Sequence, residues 1–567
     1  TPLTSLFVGE STINRISSEI GDVSLTQEPG AFAGLMIGNS SLRYDRHFDG
    51  DMAEVIIFRR ALTALEYAGV VRYLENKYQF WGEKKLHVSF SLSADGETLV
   101  LTKPGEIEPE DALSFGKIPC DASYGRTTDG LFAYFAEPTP AGENNTTSYS
   151  APLDPVQFSH IRGIYEEAFD LTLSHSDQDA TIIYTLDNSE PSLTKGIVYT
   201  PGVVIHISNT TVVRAAAFKE GALPTKNLTS HSYIFLEDIL TQEKPEGAPN
   251  TWKDEGSTPA SYSISAAVVK DDETKQALFE SIKSAPIVSI ALDNEELFNP
   301  STGLYCKPVT YLNQEKEASV EWVTGDNILG VEAGLRMQGN YARRFSESPK
   351  KSFRLAFRSR YGAGKLKAPV LKKGGCDSEE FNTLILRGEH NYAWHAGSSK
   401  GTSMHDQFVR DLQGQMSGFE CHGSHIHLFI NGLYWGLYNV SERLDADYAA
   451  GIWGGEKRDY DVIKNGASNI GQRGFQVRDG SDVEFRDLFS FVSTEDLSQK
   501  EKYETVKSRL DVVQFADYMI LEYYVGNTDW PNNNWLCFRS AANGLAFRYM
   551  LWDAELSMAS ETENRIT

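Results

Sequence analysis

Gly526-Asn-Thr-Asp529-Trp-Pro-Asn-Asn-Asn534-Trp-Leu-Cys-Phe-Arg539, and after it Leu551-Trp-Asp553-Ala-Glu555, hold the pattern on which the reading of this chain turns. An aspartate is followed five positions on by an asparagine, then by a short apolar strand, a hairpin and a second aspartate that closes another apolar strand. Phosphoryl transfer needs these residue types: a carboxylate to accept the acceptor hydroxyl's proton, and a carboxylate with an asparagine carbonyl to hold a divalent cation beside the phosphates. On that reading Asp529 is the base, and Asn534 and Asp553 are metal ligands. Asp and Asn are also common turn formers, so on spacing alone Asp529-Trp-Pro-Asn fits a solvated β-turn equally well.

Composition bounds the alternatives. A chain of 567 residues has room for about three to five domains, and 41% hydrophobic with 11% aromatic residues is ordinary for buried cores. A formal net charge of −25 repels phosphate backbones and anionic lipid, which argues against nucleic acid or a membrane surface as partner. The sequence holds no apolar run of about 18 residues that would insert in a membrane. It opens Thr1-Pro-Leu without Met, which reads as an internal cut, so the absence of a leader carries no information. Five widely spaced cysteines, Cys120, Cys306, Cys376, Cys421 and Cys537, form neither a disulfide framework nor a zinc knuckle and read as buried or half-buried thiols. Cys421-His-Gly-Ser-His-Ile-His427 puts His425 and His427 on one strand face, but without a second ligand cluster it reads as strand histidines in a polar network. His-Glu-x-x-His is absent, so the zinc hydrolase class lacks its local signature.

Several separated motifs in the C-terminal half carry a family resemblance. They are Gly334-Leu-Arg-Met-Gln-Gly339, Ser348-Pro-Lys-Lys-Ser-Phe-Arg-Leu-Ala-Phe357, Leu386-Arg387, Arg410-Asp411, Ile430-Asn-Gly-Leu-Tyr-Trp-Gly-Leu-Tyr-Asn-Val-Ser-Glu442, Asp529-Trp-Pro and Trp552-Asp553. In order and content, residues 286–567 resemble the spore-coat protein H (CotH) family of atypical secretory-pathway kinases. The resemblance implies an α+β, two-lobed kinase-like domain that uses ATP with Mg²⁺ or Mn²⁺ and transfers phosphate to a Ser or Thr hydroxyl of a protein acceptor. It also implies further helices beyond Thr567, so this domain reads as truncated.

Local pattern assigns parts within that domain. Val331 to Gly339 alternates as a strand, a polar connection follows, and Lys351 to Phe357 returns as a second strand. Gly339 would let backbone amides approach phosphate oxygens. Lys351 is the candidate for the lysine on the α/β-phosphates, with Lys350 nearly equal because one residue decides the strand face; a solvated basic hairpin is the plainer alternative. Ser403 to Met416 reads as an amphipathic helix with Phe408, Leu412 and Met416 on one face; in kinase geometry such a helix would carry an acid that orients the lysine, and Asp411 is the available candidate. Arg387 and Arg410 fit structural ion-pair partners. Asn431-Gly432 is a strong hairpin signal, and the resemblance places adenine near Glu442. Tyr434, Trp435 and Tyr438 read as packing residues. Val513 to Val525 has helical apolar spacing and would deliver Asp529 to the pocket floor.

Upstream, three β modules are read. Residues 1–82 end in a strand and helix, Met52 to Phe58 and Arg59 to Trp81, that resemble the close of a concanavalin A/laminin-G-like jelly roll. Residues 83–145 resemble a lamin-tail-like immunoglobulin sandwich. Residues 160–236, with Ile182 to Pro191, Tyr199-Thr-Pro-Gly and Val212 to Phe218, resemble the chitobiase C-terminal-like β sandwich. Residues 237–285 are rich in Pro, Gly and charge and read as a linker. The fold class is therefore multidomain, all-β sandwich modules followed by the α+β kinase-like domain. By analogy with exported proteins this implies a bacterial extracellular or cell-surface location. The rival reading is a surface adhesion protein with a catalytically silent kinase-like domain, binding glycans through its β modules.

Overall fold

The computed structural model describes Asn39–Ser40, Arg43–His47 and residues 92–560, the latter except 94–95, 105–106, 141, 224–228, 255–256, 311–312, 326, 372–379, 394–400 and 469–471. The strand and helix expected within residues 51–81 lie outside the described residues. Residues 1–93 and 94–567 form separate compact units. Of the first, the antiparallel pair of Asn39–Ser40 with Arg43–His47 is described.

The second unit opens with a hairpin, Glu97–Thr102 on Pro109–Phe115, and a three-stranded sheet of Ser123–Arg126, Phe132–Phe135 and Ser148–Tyr149. A five-stranded sheet follows, in the order Ile197–Val198, Thr181–Thr185, Thr211–Phe218, Thr229–Ile234 and Gly163–Ile164. Its apolar side closes over Leu171, Ile207, Val213, Ala215 and Tyr233, all essentially without exposure.

The next domain is built on a closed barrel. Its strands are β1 (Ile287–Ala291), β2 (Lys316–Thr324), β3 (Asn327–Gln338), β4 (Ser352–Ala356), β5 (Thr383–Arg387), β6 (Gly423–Ile430) and β7 (Leu433–Glu442). They pair in the order β1-β2-β3-β4-β5-β7-β6, and β6 returns to lie parallel to β1, with Ile287 opposite His427. Closure leaves no exposed edge. β1, Ile-Val-Ser-Ile-Ala, is buried at every position, as befits a strand covered on both faces. Between β6 and β7 the tight turn places Asn431 at φ 52° and Gly432 at φ 81°, the left-handed pair that a two-residue hairpin turn requires.

Alternation around the barrel decides what reaches the outside. Leu335 and Met337 of β3, Phe353 and Leu355 of β4, Leu384 and Leu386 of β5, and Tyr438 and Val440 of β7 fill the interior. Arg336, Arg354, Ile385, Arg387, Asn439 and Ser441 therefore share the outer face. That face is met by helix α1 (His405–Ser417) and by a second sheet in the order β9-β8-β10-β11, from β8 (Asp461–Ser468), β9 (Gln472–Asp479), β10 (Trp535–Ser540) and β11 (Leu545–Leu551). Helix α2 (Ala446–Trp453) follows β7, and helix α3 (Val512–Tyr524) precedes the Asp529 loop.

The stretch 237–285 is not a free linker. Trp252 and Tyr262 are buried in the barrel's own core, and Phe279 and Ile282 of the helix Asp272–Ser284 pack with Ile287 and Phe429. Its Gly and Pro residues mark turns, but its aromatic side chains supply apolar area that can be buried, and area decides. Cys306, Cys421 and Cys537 are buried free thiols and Cys120 is half-buried, while Cys376 lies outside the described residues.

The sandwich sheet meets the barrel through polar groups. Ser232 N donates to both carboxylate oxygens of Glu321 at 3.1 Å, and the Ser232 and Ser289 hydroxyls lie 2.8 Å apart. Arg162 Nη1 is 3.3 Å from Glu321, and Ser319 donates to Glu332 at 2.6 Å. Burial pushes the Glu321 carboxyl up to about 7, against the pull of Arg162. The packed state thus holds this proton more tightly than the unfolded chain. Its contribution is complete below the ordinary value near 4.5 and is lost as pH rises through about 7, a change of about 3 kcal/mol. Glu321→Gln removes the titration while keeping the shape. The melting temperature of the variant relative to the parent should therefore climb between pH 5 and 8, and a difference constant across that range would refute the assignment.

Candidate functional site

Helix α3 delivers the Asp529 loop. Its Gln514, Tyr518, Leu521 and Glu522 face the protein interior, and Tyr518, Leu521 and Val525 share a cluster with Trp530 and Leu551. Just beyond the helix, Asn527 Nδ2 donates to the fully buried Glu522 at 2.9 Å, and the Asn527 side-chain oxygen accepts from Asp529 N at 3.2 Å. Thr528 N donates to Leu556 O at 3.0 Å, which ties the loop to the segment after β11.

Within the loop the carboxylate is oriented by two amides. Asn533 Nδ2 donates to Asp529 Oδ1 and Asn534 Nδ2 to Asp529 Oδ2, each at 2.8 Å. Asn534 Nδ2 also reaches Asp553 O at 3.1 Å, so one amide joins the three residues read from the sequence. Asn534 and Asp553 both sit at φ 59°, a left-handed conformation that their short polar side chains tolerate.

A buried guanidinium holds the other side of Asp553. Arg387 Nη2 donates to Asp553 Oδ1 and to Glu555 Oε1, both at 2.6 Å, and its Nε lies 3.5 Å from Asp406. Asp406 also pairs with Arg410 at 3.2 Å and accepts from Ala554 N at 2.8 Å. Glu555 Oε2 accepts from the amides of His390 and Asn391. Burial works against the Arg387 charge, but Asp406, Asp553 and Glu555 outweigh it and hold the group more firmly protonated. Glu555 is raised to about 7 by burial, against the pull of Arg387. Beside them Glu389, at φ 55°, is raised to about 8 by burial and then by Glu555.

The expected phosphate lysine lies elsewhere. Lys351 has the interior parity of Phe353 and Leu355 and is entirely buried. Its ammonium donates to the carbonyls of Ala342, Arg344 and Ser348 and lies 4.0 Å over the Phe345 ring, so it staples the loop after Gly339. Lys350 donates to Leu437 O and lies 4.3 Å over Tyr438, with Glu389 the carboxylate that pulls on it. Neither lysine pairs with Asp529 or Asp553. Gly339 has φ 97° and open space where a side chain would stand.

Helix α1 also corrects the sequence reading. Phe408 and Met416, expected inside, are 49% and 43% exposed, and the buried residues are Asp406, Gln407, Arg410 and Gln413 with one apolar side chain, Val409. That face meets the polar outer side of the barrel: Arg410 donates to Asn439 at 2.7 Å, and Gln413 exchanges hydrogen bonds with the β11 backbone. The helix acid in the cluster is therefore Asp406, and Asp411 accepts a local bond from Gln407 one turn earlier. A charged residue on a buried helix face leaves no apolar periodicity to read, so Asp406 gave no local signal, and Glu389 and Glu555 stand in loops where no period applies.

Glu442 accepts from His422 N and Nδ1 at 2.9 and 2.7 Å and, with Phe381, Thr383, Arg443, Asp445 and Tyr448, lines a cavity of about 530 Å³ beside β5 and α2. His427 bonds Tyr434 and Ser281, and His425 bonds Ser403 O, as strand histidines in a polar network do. Trp435 packs against the barrel core with Tyr262 and Phe298, and Tyr438 is buried within it.

Two family models match the chain. Residues 335–566 match the one described as CotH kinase protein, and residues 162–230 match the chitobiase/β-hexosaminidase C-terminal domain. The first match begins inside β3, so β1 and β2 of the barrel precede it. No curated protein is significantly similar to the chain. The second match falls on the five-stranded sheet module and the first takes in Asp529, Asn534 and Asp553: the chain is a multidomain protein that carries a CotH kinase domain over residues 335–566.

Proposed function

We propose that the chain is an exported, ATP-dependent protein kinase that phosphorylates Ser or Thr. The observation that carries this reading is the convergence of Asp529, Asn534 and Asp553 through one side-chain amide, on a loop and a strand end that face the outer side of the barrel. In this reading the barrel and the second sheet are the two lobes. The 530 Å³ cavity near Glu442 takes the adenine.

The chain's residues then have distinct tasks. Asp529 is held by two amide donors with both oxygens aimed by them, a geometry suited to accepting the acceptor hydroxyl's proton. Asp553 and the carbonyl oxygen of Asn534 are hard oxygen donors that fit Mg²⁺ or Mn²⁺, which seldom takes more than one or two protein carboxylates and otherwise uses water and phosphate oxygens. When bound, such an ion neutralises phosphate charge beside the attacking oxygen. Arg387 keeps Asp553 in place from behind by taking one of its two oxygens. The upstream β modules fit spacers or adhesion modules at a cell surface.

Asp529→Asn keeps the shape of the site. It should leave ATP binding within a few-fold while lowering phosphoryl transfer by about 10²-fold or more, measured on a casein-like acceptor or as autophosphorylation. Transfer at the parental rate would reduce Asp529 to a turn residue. ATP with Mg²⁺ or Mn²⁺ should raise the melting temperature by mass action, and Asp553→Ala should abolish the metal-dependent part. No shift with nucleotide, together with a shift on adding an oligosaccharide, would favour the silent adhesion reading.

Arg387→Met leaves three carboxylates around an apolar side chain. Breaking a buried pair in this way typically costs about 3–5 kcal/mol, so chemical denaturation should show a loss of that order at pH 7.5. The loss should shrink at pH 5, where Glu555, already raised to about 7, is neutral. A penalty that is small or independent of pH would show that the carboxylates do not depend on Arg387.

A further inference from the structure

We propose that Arg354, Arg478 and Lys464, together with Arg336 and Arg443, form a polyphosphate-binding wall between the barrel and the second sheet, in the place expected of Lys351. Its assignment to the tail of a nucleoside triphosphate rests on the kinase reading above; the wall itself rests on the placement of these cations.

Arg336 and Arg354 are direct cross-strand partners on the outer face of β3 and β4, a like-charge pair that is unfavourable in a sheet, and Arg336 donates to the neutral Asn313 side-chain oxygen at 3.1 Å while Glu315 pulls on it. Arg354 is half-buried, yet its one bonded partner is the neutral Gln338 side-chain oxygen, at 3.0 and 2.6 Å. From the opposing sheet, Arg478 of β9 donates to Leu444 O and lies 4.9 Å over the ring of Trp552, the residue before Asp553. Lys464 of β8 is partly buried, and among the described residues no partner within bonding distance meets its ammonium. Arg443 pairs with Asp445 at 3.2 Å and lines the cavity beside Glu442. Among the described residues no carboxylate lies within ion-pair distance of Arg354, Arg478 or Lys464.

These groups act on one another. Arg354 is lowered to about 9 by burial and then by repulsion from Arg443, Arg336 and Arg478. Lys464 is lowered to about 8 by burial and then by repulsion from Arg478 and Arg443, while Asp553 pulls the other way. Arg478 is lowered to about 10 by burial and by Arg443, against the pull of Asp445 and Asp479, and Asp445 pulls the same way on Arg354. A chain of cations thus runs from the cavity wall at Arg443 to Asp553. Packing such charge together in a protein of net charge −25 is unfavourable without an anion. A linear polyphosphate matches it: several negative oxygens in a row, suited to guanidinium forks. One end would lie at the cavity and the other at Asp553 and Asp529.

The test uses the full chain, calorimetric titration and thermal melting, with inorganic tripolyphosphate in a metal-free chelating buffer and, separately, ATP with Mg²⁺. Tripolyphosphate should bind the parent and raise its melting temperature. Arg354→Gln and Lys464→Gln should weaken that binding by about tenfold or more, the scale of one lost charge-assisted hydrogen bond, while their own ligand-free melting temperatures stay level or rise as repulsion falls. Asp553→Ala should bind metal-free tripolyphosphate as well as the parent or better. Tripolyphosphate binding that depends on these cations, with no gain in affinity for ATP over tripolyphosphate, would support the wall and remove the nucleotide reading of the cleft. Absence of tripolyphosphate binding, binding unchanged in both variants, or variants whose ligand-free stability falls as for ordinary ion-pair residues, would overturn the proposal.

Discussion

One buried guanidinium sets the frame for everything around the Asp529 loop. Arg387 sits at the end of β5 with Asp406 of α1, Asp553 after β11 and Glu555 two residues on. It therefore joins a barrel strand, a helix and the end of the second sheet at a single point. A charge of this kind is tolerated inside only when its donors are satisfied, and its carboxylates are tolerated only while it is there. The positions of the three elements are thus mutually dependent.

Oriented backbone strengthens the same point. The amides of His390 and Asn391 bind Glu555, and the amide of Ala554 binds Asp406, so the carboxylates that hold Arg387 are themselves fixed by main chain. The arrangement leaves one oxygen of Asp553 uncommitted to Arg387, and Asn534 fixes the backbone of Asp553 from the other side. Preorganised dipoles of this sort need no rearrangement when charge develops nearby.

Much of this was legible in the sequence where local chemistry decides. The Asn431-Gly432 turn, the helix before Asp529 and the grouping of Asp529, Asn534 and Asp553 follow from turn residues, helical spacing and the donor types themselves. What escaped depends on parity and on partners distant in sequence. Lys350 and Lys351 differ by one residue, and β4 turns the second of them inward with Phe353. On α1 the apolar residues suggested the buried side, but the surface that receives the helix is polar, so Asp406 and Arg410 went in and Phe408 stayed out. Residues 237–285 look like a linker by composition because Gly and Pro are counted everywhere, whereas Trp252 and Tyr262 matter only where a barrel end is open to receive them.

The inward turn of Lys351 also governs its reactivity. Burial brings this amine down to about 7, a range in which an exposed lysine would be a ready nucleophile at neutral pH. Three carbonyls and the Phe345 ring enclose it instead, with no surface open to solvent. Acylating reagents that mark lysines in nucleotide clefts will pass it by while the fold is intact. Its modification would instead register the opening of the loop that follows Gly339, which makes this side chain a chemical gauge of barrel integrity.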